Sequence, residues 1–281
     1  MSDDLFDYTA GDPSFEQLAH RNGTSLWREA DLRRALGYES PTTFRRVVQK
    51  AQAACLALGI PIEENFRLGE PESPSGLREY KLTRFACFLT AMNGDPRKRE
   101  VAAAQAYFAA LADAIHEWAG EPEDVERIVM REDVAGGAKL LNSVASRHGV
   151  EHYGLFLDAG YRGMYNKSLR ALMDRKGVPD GKILFDYMGK TELAANHFRL
   201  TQTAEKIRAY DVRGQAALEN VAEGVGRTVR QTMLKISGTR PEDLPTREPI
   251  QSVRSGLKRT SRGFKKLDSG RRSASSAGSE E

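Results

Sequence analysis

His148 and His152 are the first residues whose types and spacing could support chemistry. Imidazoles four residues apart share one face of a helix and could bind a metal ion. Gly149 interrupts the helix between them, and no third ligand is evident. We therefore interpret both as surface histidines and predict no metal site. Cys55 and Cys87 lie among Ala, Leu and Phe at helical spacing, so we predict two buried structural thiols.

Two glycine-containing segments resemble nucleotide-binding loops only weakly. The sequence GVPDGKI at 177–183 contains a Gly-Lys pair but lacks the phosphate-loop spacing and the Ser or Thr that should follow. The sequence GVG at 224–226 follows no predicted strand. No Ser/His/Asp or paired-carboxylate arrangement is apparent, which disfavours a nuclease or other hydrolase. The sequence predicts a protein that is not an enzyme and has no cofactor.

A basic two-helix segment at 31–50, DLRRAL-GYES-PTTFRRVVQK, is the stronger signal. Leu32, Leu36, Phe44 and Val48 would face inward, leaving the basic side chains to contact phosphates or guanine edges. A merely solvated basic face is the alternative interpretation. The outward candidates for nucleic-acid binding are Arg33, Arg34, Arg45, Arg46 and Lys50.

A second basic cluster follows a predicted β-hairpin between about residues 65 and 82, whose tip we expect to be mobile. Thr83 should cap a helix over 84–92, and Pro96 should start a longer one. Cations at a helix N-terminus are unfavourable because they lie beside the positive end of the helix dipole. A bound anion would relieve this cost, so the cluster is consistent with an anion-binding site. The candidates here are Lys81, Arg84, Arg97, Lys98 and Arg99.

The second half of the chain carries a polar helical stretch at 188–203, MGKTELAANHFRLTQT, and a basic stripe on a following helix. Phe198 is predicted to belong to the core. The polar residues near one face suggest a partner-binding surface. The candidates are Lys190, Asn196, Arg199, Gln202, Arg227 and Arg230.

Charge is distributed unevenly along the 281 residues, although the net charge is only +3. Residues 248–272 contain eight Lys and Arg and two acidic residues, a net +6, so the rest carries about −3. We predict a disordered basic tail at 250–281, including the DNA-contacting candidates Lys258, Arg259, Lys265 and Lys266. The acidic segment 1–13 is unlike a signal peptide, and no apolar run suits a membrane helix, so we expect a cytoplasmic protein.

The element pattern predicts an α+β protein. A small mixed α/β domain at 14–119 would bind DNA, and a mainly helical domain at 120–249 would follow it, with the boundary near the Gly-Glu-Pro sequence at 120–122. The apolar faces of the helical domain suit an internal core or a homodimer interface.

Longer motifs carry a family resemblance. LWREADLRRALGYESPTTFRRVVQKAQAAC and YKLTRFACFLTAMNGDPRKREVAAAQAYF resemble the two halves of the BRO N-terminal domain of viral and phage antirepressor-type proteins. YGLFLDAGYRGMYN, ILFDYMGKTELAANHFRLTQTAEKI and VGRTVRQTM resemble the bacterial DNA-damage-inducible protein D family, and the likeness covers residues 14–249. The basic sequence RKR at 97–99 replaces a less charged stretch of the family pattern, so we expect this chain to bind nucleic acid more strongly than that pattern implies, or differently.

The resemblance implies an SOS-regulated protein without enzymatic activity, which binds DNA and inhibits the RecA recombinase filament and its strand exchange. It supplies no list of site residues. Two hypotheses therefore stand. In the first, the helical half contacts RecA filaments while the BRO-like module and the basic tail hold nearby DNA. In the second, the chain is a sequence-specific regulator or antirepressor that reads base edges.

Overall fold

The computed structural model describes residues 14–21, 25–69, 78–115, 117 and 120–276, with side chains as far as residue 269. The chain forms two compact units. Unit 1 comprises residues 1–128 and 252–281, and unit 2 comprises residues 129–251. The predicted acidic segment 1–13 and the hairpin tip lie outside the described residues.

Unit 1 combines short strands with helices, in agreement with the α+β prediction. Its elements are β1 (His20–Arg21), β2 (Ser25–Arg28), α1 (Glu29–Ala35), α2 (Pro41–Leu58), α3 (Ile62–Asn65), β3 (Phe66–Leu68), β4 (Tyr80–Leu82), α4 (Arg84–Met92) and α5 (Arg99–Ala114). The helix α6 (Pro122–Arg147) then crosses the sequence boundary between the units.

The predicted helix caps are confirmed. The Ser40 hydroxyl accepts a hydrogen bond from the Thr43 amide, with Pro41 as the first helical residue of α2. Gly59 ends this helix at φ 65°, a left-handed conformation that favours glycine. The Thr83 hydroxyl likewise accepts from the Ala86 amide at the start of α4. The long helix α5 begins at Arg99 rather than at the predicted Pro96.

The four strands form one antiparallel sheet in the order β1-β2-β4-β3. Trp27 of β2 lies opposite Leu82 of β4, which lies opposite Phe66 of β3. All three side chains are buried. Because side chains alternate along a strand, the residues between them point to the other face of the sheet.

The predicted disorder of the basic tail is wrong for residues 250–269, which belong to the helix α11 (Ile250–Ser276). Val253, Leu257 and Phe264 are buried, and their spacings of four and seven residues place them on one face of the helix. The Phe264 ring packs against those of Phe88 and Phe108 at 5.8 and 6.2 Å between centroids. Amphipathic spacing therefore outweighs the charge content that suggested disorder. Residues 277–281 lie outside the described residues.

Unit 2 is helical throughout its described elements. They are most of α6, then α7 (Tyr153–Tyr165), α8 (Leu169–Lys176), a 3₁₀ turn (Leu184–Tyr187), α9 (Lys190–Ala209), α10 (Gln215–Ser237) and a second 3₁₀ turn (Pro241–Asp243). Its core gathers Phe156, Met164, Leu193, Leu200 and Leu218, among others. Within the described part of the chain, none of the helices combines the length and apolar character needed to span a membrane.

Candidate nucleic-acid interface

The two-helix segment of unit 1 has its apolar residues inside, as predicted. Leu32, Leu36 and Phe44 are fully buried between α1 and α2. Arg46 and Lys50 lie one turn apart on the exposed face of α2. Among the described residues, neither has a carboxylate within salt-bridge distance. These two cations are therefore available for an anionic partner.

Three other arginines of the segment are already engaged within unit 1. The Arg33 guanidinium donates to the carbonyls of Tyr38 and Glu39 at 2.7 and 2.5 Å, which fixes the turn between the helices. Arg45 donates to the buried Glu29 carboxylate at 2.7 Å. Arg34 is exposed and pairs with a carboxylate on its own helix at 2.5 Å. Arg33 and Arg45 thus stabilise the fold, contrary to the prediction that both face outward.

The basic cluster at 97–99 is also divided. Arg97 is exposed and forms two hydrogen bonds to Asp95, which lower the pKa of that carboxyl to about 2. The Lys98 ammonium donates to the Gly37 carbonyl at 2.7 Å, so it braces the loop before α2. Only Arg99 is exposed with no carboxylate partner among the described residues.

Arg84 is wrongly predicted as a DNA contact, since its side chain is 1% exposed. Its guanidinium donates to Glu16 and to Asp268 of α11, the latter at 2.7 and 2.9 Å. It also lies 4.8 Å from the centre of the Trp27 ring. Burial opposes its charge, but the hydrogen bonds outweigh that cost and raise the pKa of Arg84. Arg84 therefore links α11 to the start of α4.

The outer face of the sheet carries a feature that sequence analysis did not find. Arg28 of β2 lies opposite Lys81 of β4, and Lys81 lies opposite Arg67 of β3. We call these three residues the cation row. Adjacent strands are about 4.8 Å apart, so the row spans about 10 Å. Like charges that face each other across strands destabilise a sheet, and an anion bound over the row would relieve this repulsion.

Few acidic groups offset the cation row. Glu79 lies 4.0 Å from the Arg28 guanidinium, and both side chains are partly exposed. Among the described residues, no carboxylate lies within salt-bridge distance of the exposed Lys81 or Arg67. The row therefore presents a net positive strip to solvent.

The helix α11 adds fixed cations to unit 1. Lys258 and Lys266 are exposed, while Arg259 and Lys265 are exposed but lie 3.6 Å from Glu117 and 3.8 Å from Glu64. All four were predicted as DNA contacts on a flexible arm. They instead project from a helix whose other face is buried in unit 1.

Three of the six predicted partner-binding residues are buried in unit 2 and cannot contact a partner. Asn196 and Arg199 are 0% and 1% exposed, and they hydrogen-bond each other. The Arg199 guanidinium lies 4.9 Å from the Tyr161 ring centre, where Gly160 leaves room for it. Arg230 pairs with Glu242 through two hydrogen bonds. These polar groups satisfy one another inside the unit, as buried polar groups must.

Three predicted partner-binding residues remain exposed: Lys190, Gln202 and Arg227. Phe198, predicted to be core, is 57% exposed. Lys190, Phe198 and Gln202 are separated by eight and four residues on α9, so they lie along one face. We call these three residues the α9 row. An exposed aromatic side chain flanked by polar groups is typical of a protein-binding surface.

The residues that sequence analysis missed differ in the signal that could have revealed them. Arg67 alternates with apolar neighbours inside a predicted hairpin, so its outward direction could have been inferred. Arg28 joins the row only through the pairing of β2 with β4, which connects residues more than fifty positions apart. Arg262 belongs to the basic segment 248–272 but was not among the DNA contacts predicted there.

The predicted burial of both thiols is confirmed. Cys55 and Cys87 are fully buried, and burial raises the pKa of Cys55 to about 12. A thiol with such a pKa is a poor nucleophile at neutral pH. In the described part of the chain, no three His, Cys, Asp or Glu side chains are grouped as metal ligands would be.

Comparison with known proteins yields two findings. The model of the DinD C-terminal domain family matches residues 122–253, which include all of unit 2. The chain is also similar to DNA damage-inducible protein D of Escherichia coli (strain K12). The two are 34% identical over 247 residues, covering 82% of this chain and 89% of the relative.

Proposed function

Because the chain belongs to the DNA damage-inducible protein D family, we propose that it acts in the DNA-damage response by binding DNA and modulating RecA filaments. In this proposal unit 1, a BRO-type module, holds the DNA, and unit 2 contacts the recombinase. The protein has no catalytic step of its own and acts in the cytoplasm. The cation row is the observation that carries the DNA-binding part.

The cations of unit 1 favour DNA over an acidic protein as the partner. Arg67 and Lys81 have no carboxylate partner among the described residues, and Arg46 and Lys50 form a second free pair. Phosphates recur at regular short intervals along a strand, and several cations at fixed spacing can neutralise several of them at once. Such contacts position the protein without reading a sequence.

The DNA-binding part is tested with a fluorescent oligonucleotide titrated over a range of salt concentrations. Lys81→Gln should weaken binding and reduce the slope of log K against log salt by about 0.7–0.9, the effect of one lost phosphate contact. Lys139→Gln, which removes an exposed cation of α6 in unit 2, serves as the matched control and should leave both unchanged. Equal effects of the two substitutions would contradict a DNA site on the sheet.

The recombinase part rests on the family and on the α9 row. A strand-exchange assay with purified RecA should show inhibition by the wild-type protein at stoichiometric amounts. Phe198→Ala should relieve that inhibition, whereas Tyr210→Ala, which removes another exposed aromatic side chain, should not. Absence of inhibition by the wild type would refute this part.

The sequence-specific regulator remains the competing function, and the exposed Arg46 and Lys50 of α2 are the observation that favours it. A regulator of this kind would protect a discrete operator in a footprint. The modulator should instead protect no preferred sequence. Footprinting on random genomic fragments therefore separates the two functions.

A further inference from the structure

Unit 1 contains a cavity of about 370 Å³ that the sequence analysis did not predict. It lies between α11 and two described stretches, one that follows α2 and includes α3 and β3, and the other at the start of α4. Water occupies about 30 Å³ per molecule in the liquid, so this space is large enough for about a dozen waters. It lies at the lower end of the size range of small-molecule sites.

The cavity walls combine apolar surface with cationic side chains. Ile60, Pro61, Phe85 and Phe264 supply apolar wall. The buried Arg84 also lines the cavity, but Glu16 and Asp268 already occupy its guanidinium. The charge available to a ligand must therefore come from the other cations of the lining.

Three cations of the lining face solvent. Arg67 and Arg262 have no carboxylate within salt-bridge distance among the described residues, and the Arg262 Nε donates only to the Lys258 carbonyl, at 3.3 Å. Lys265 pairs loosely with the exposed Glu64 at 3.8 Å, an interaction that solvent weakens. A ligand with one anionic group and one flat apolar group matches this arrangement.

We propose that the cavity binds one unpaired nucleotide of a DNA strand, with the base against the apolar wall and its phosphate held by Arg67 and Arg262. This inference rests on the proposed DNA binding and deepens it. Arg67 belongs to both the cavity lining and the cation row, so the phosphates next to the bound nucleotide would continue over Lys81 and Arg28. This continuity favours a strand over a free nucleotide.

The site distinguishes single strands from duplexes. A base in a duplex is paired and stacked, so it must leave the stack before it can enter a cavity. An unpaired base enters without that cost. The protein should therefore bind single-stranded or gapped DNA at least about tenfold more tightly than a duplex of the same length, whereas the cation row alone would hold both.

The test uses the full chain and a single-stranded oligonucleotide that carries one 2-aminopurine, whose fluorescence reports the environment of the base. Ser261→Trp fills the cavity from α11, and Ser255→Trp places the same side chain on the exposed part of α11 as the control. Ser261→Trp should block entry of the base, and Arg262→Gln should remove a charged hydrogen bond to the phosphate. Each should lower single-strand affinity roughly tenfold, the usual effect of losing one charged hydrogen bond. Duplex affinity should remain within about twofold.

The other outcomes are also decisive. If single strands and duplexes bind equally and Ser261→Trp changes neither, the cavity proposal is overturned while DNA binding stands. If deoxyadenosine monophosphate alone competes as well as the oligonucleotide, the site takes free nucleotides and the strand proposal is overturned. If the wild type binds no DNA, the proposed function itself fails.

Discussion

Gly226 lies where α10 crosses α7, and its replacement by alanine should disrupt unit 2. A Cβ atom at this position would lie 2.6 Å from the Gly160 carbonyl oxygen and 2.8 Å from the Met164 nitrogen. Both contacts are with the backbone of α7, which cannot rotate away as a side chain can. Gly163 of α7 is restricted in the same way, because a Cβ there would collide with the Glu223 carbonyl oxygen of α10.

The cost of the Gly226→Ala substitution follows from these distances. Relaxed carbon–oxygen contacts are about 3.3–3.6 Å, so the helices must separate by roughly 0.7 Å or more. Separation would loosen the packing on either side of the crossing, where Ala159 and Ala222 are buried. Overpacking of this kind costs about 1–3 kcal/mol, and a backbone clash belongs at the upper end. A loss of about 3 kcal/mol corresponds to a fall of roughly 10 °C in Tm.

Gly224→Ala is the matched control, since it adds the same methyl group two residues earlier on α10. A Cβ there meets nothing within 4 Å. Alanine is favoured over glycine in a helix interior by about 1 kcal/mol, so this variant should be slightly more stable than the wild type. Urea and thermal unfolding followed by circular dichroism measure the free energy of unfolding and the Tm of each variant. Equal stability of the two variants would refute the close crossing of α7 and α10.

Three further predictions concern buried groups. Asp268→Asn removes one partner of a buried ion pair and should destabilise unit 1 by about 3–5 kcal/mol. Arg259→Gln removes one partner of an exposed pair and should cost under about 1 kcal/mol. Urea unfolding followed by tryptophan fluorescence measures the free energy of unfolding of both variants. Burial would raise the pKa of Glu242, but the hydrogen-bonded Arg230 guanidinium holds that pKa below its ordinary value. Stability should therefore fall in the acid range as this carboxylate becomes protonated, and Glu242→Gln should flatten that dependence in acid unfolding curves. Cys55 and Cys87 should resist a thiol reagent until the protein unfolds, and rapid labelling of the native protein would contradict their burial.

Local signals predicted the caps and the hairpin in the N-terminal part of unit 1, but not the helix α11. Ser40, Gly59 and Thr83 each act through backbone groups within four residues, so the sequence contains all the information that the caps require. The hairpin of β3 and β4 follows from a similarly local alternation. The cation row required the pairing of β2 with β4, which local pattern does not specify.

Polar residues of unit 2 were predicted less well, for a physical reason. Helical periodicity predicts that a polar side chain faces solvent. That prediction fails where a residue distant in sequence satisfies the hydrogen bonds or the charge of the side chain inside the protein. Arg199 lies inside because its guanidinium forms a cation–π contact with the Tyr161 ring and because Gly160 leaves space for it. Both residues belong to another helix, α7. Phe198 shows the reverse case, since its neighbours on α9 fill the core without it.

The ordered α11 changes how the basic C-terminal segment can act on DNA. A flexible arm would raise the local concentration of cations, and its removal would leave the folded body intact. Truncation before residue 250 would instead remove Phe264 from the aromatic core of unit 1 and leave Arg84 without Asp268. Loss of DNA binding after such a truncation could therefore reflect unfolding alone.

Charge substitutions on the exposed face of α11 separate the two effects. Lys258→Gln and Lys266→Gln remove cations that have no carboxylate partner among the described residues and do not enter the core. If α11 presents cations at fixed positions, each substitution should weaken DNA binding and reduce its salt dependence with no change in the urea midpoint. An unchanged salt dependence in the double variant would show that Lys258 and Lys266 do not contact DNA, and the contacts of α11 would then be limited to its other cations, such as Arg262 beside the cation row.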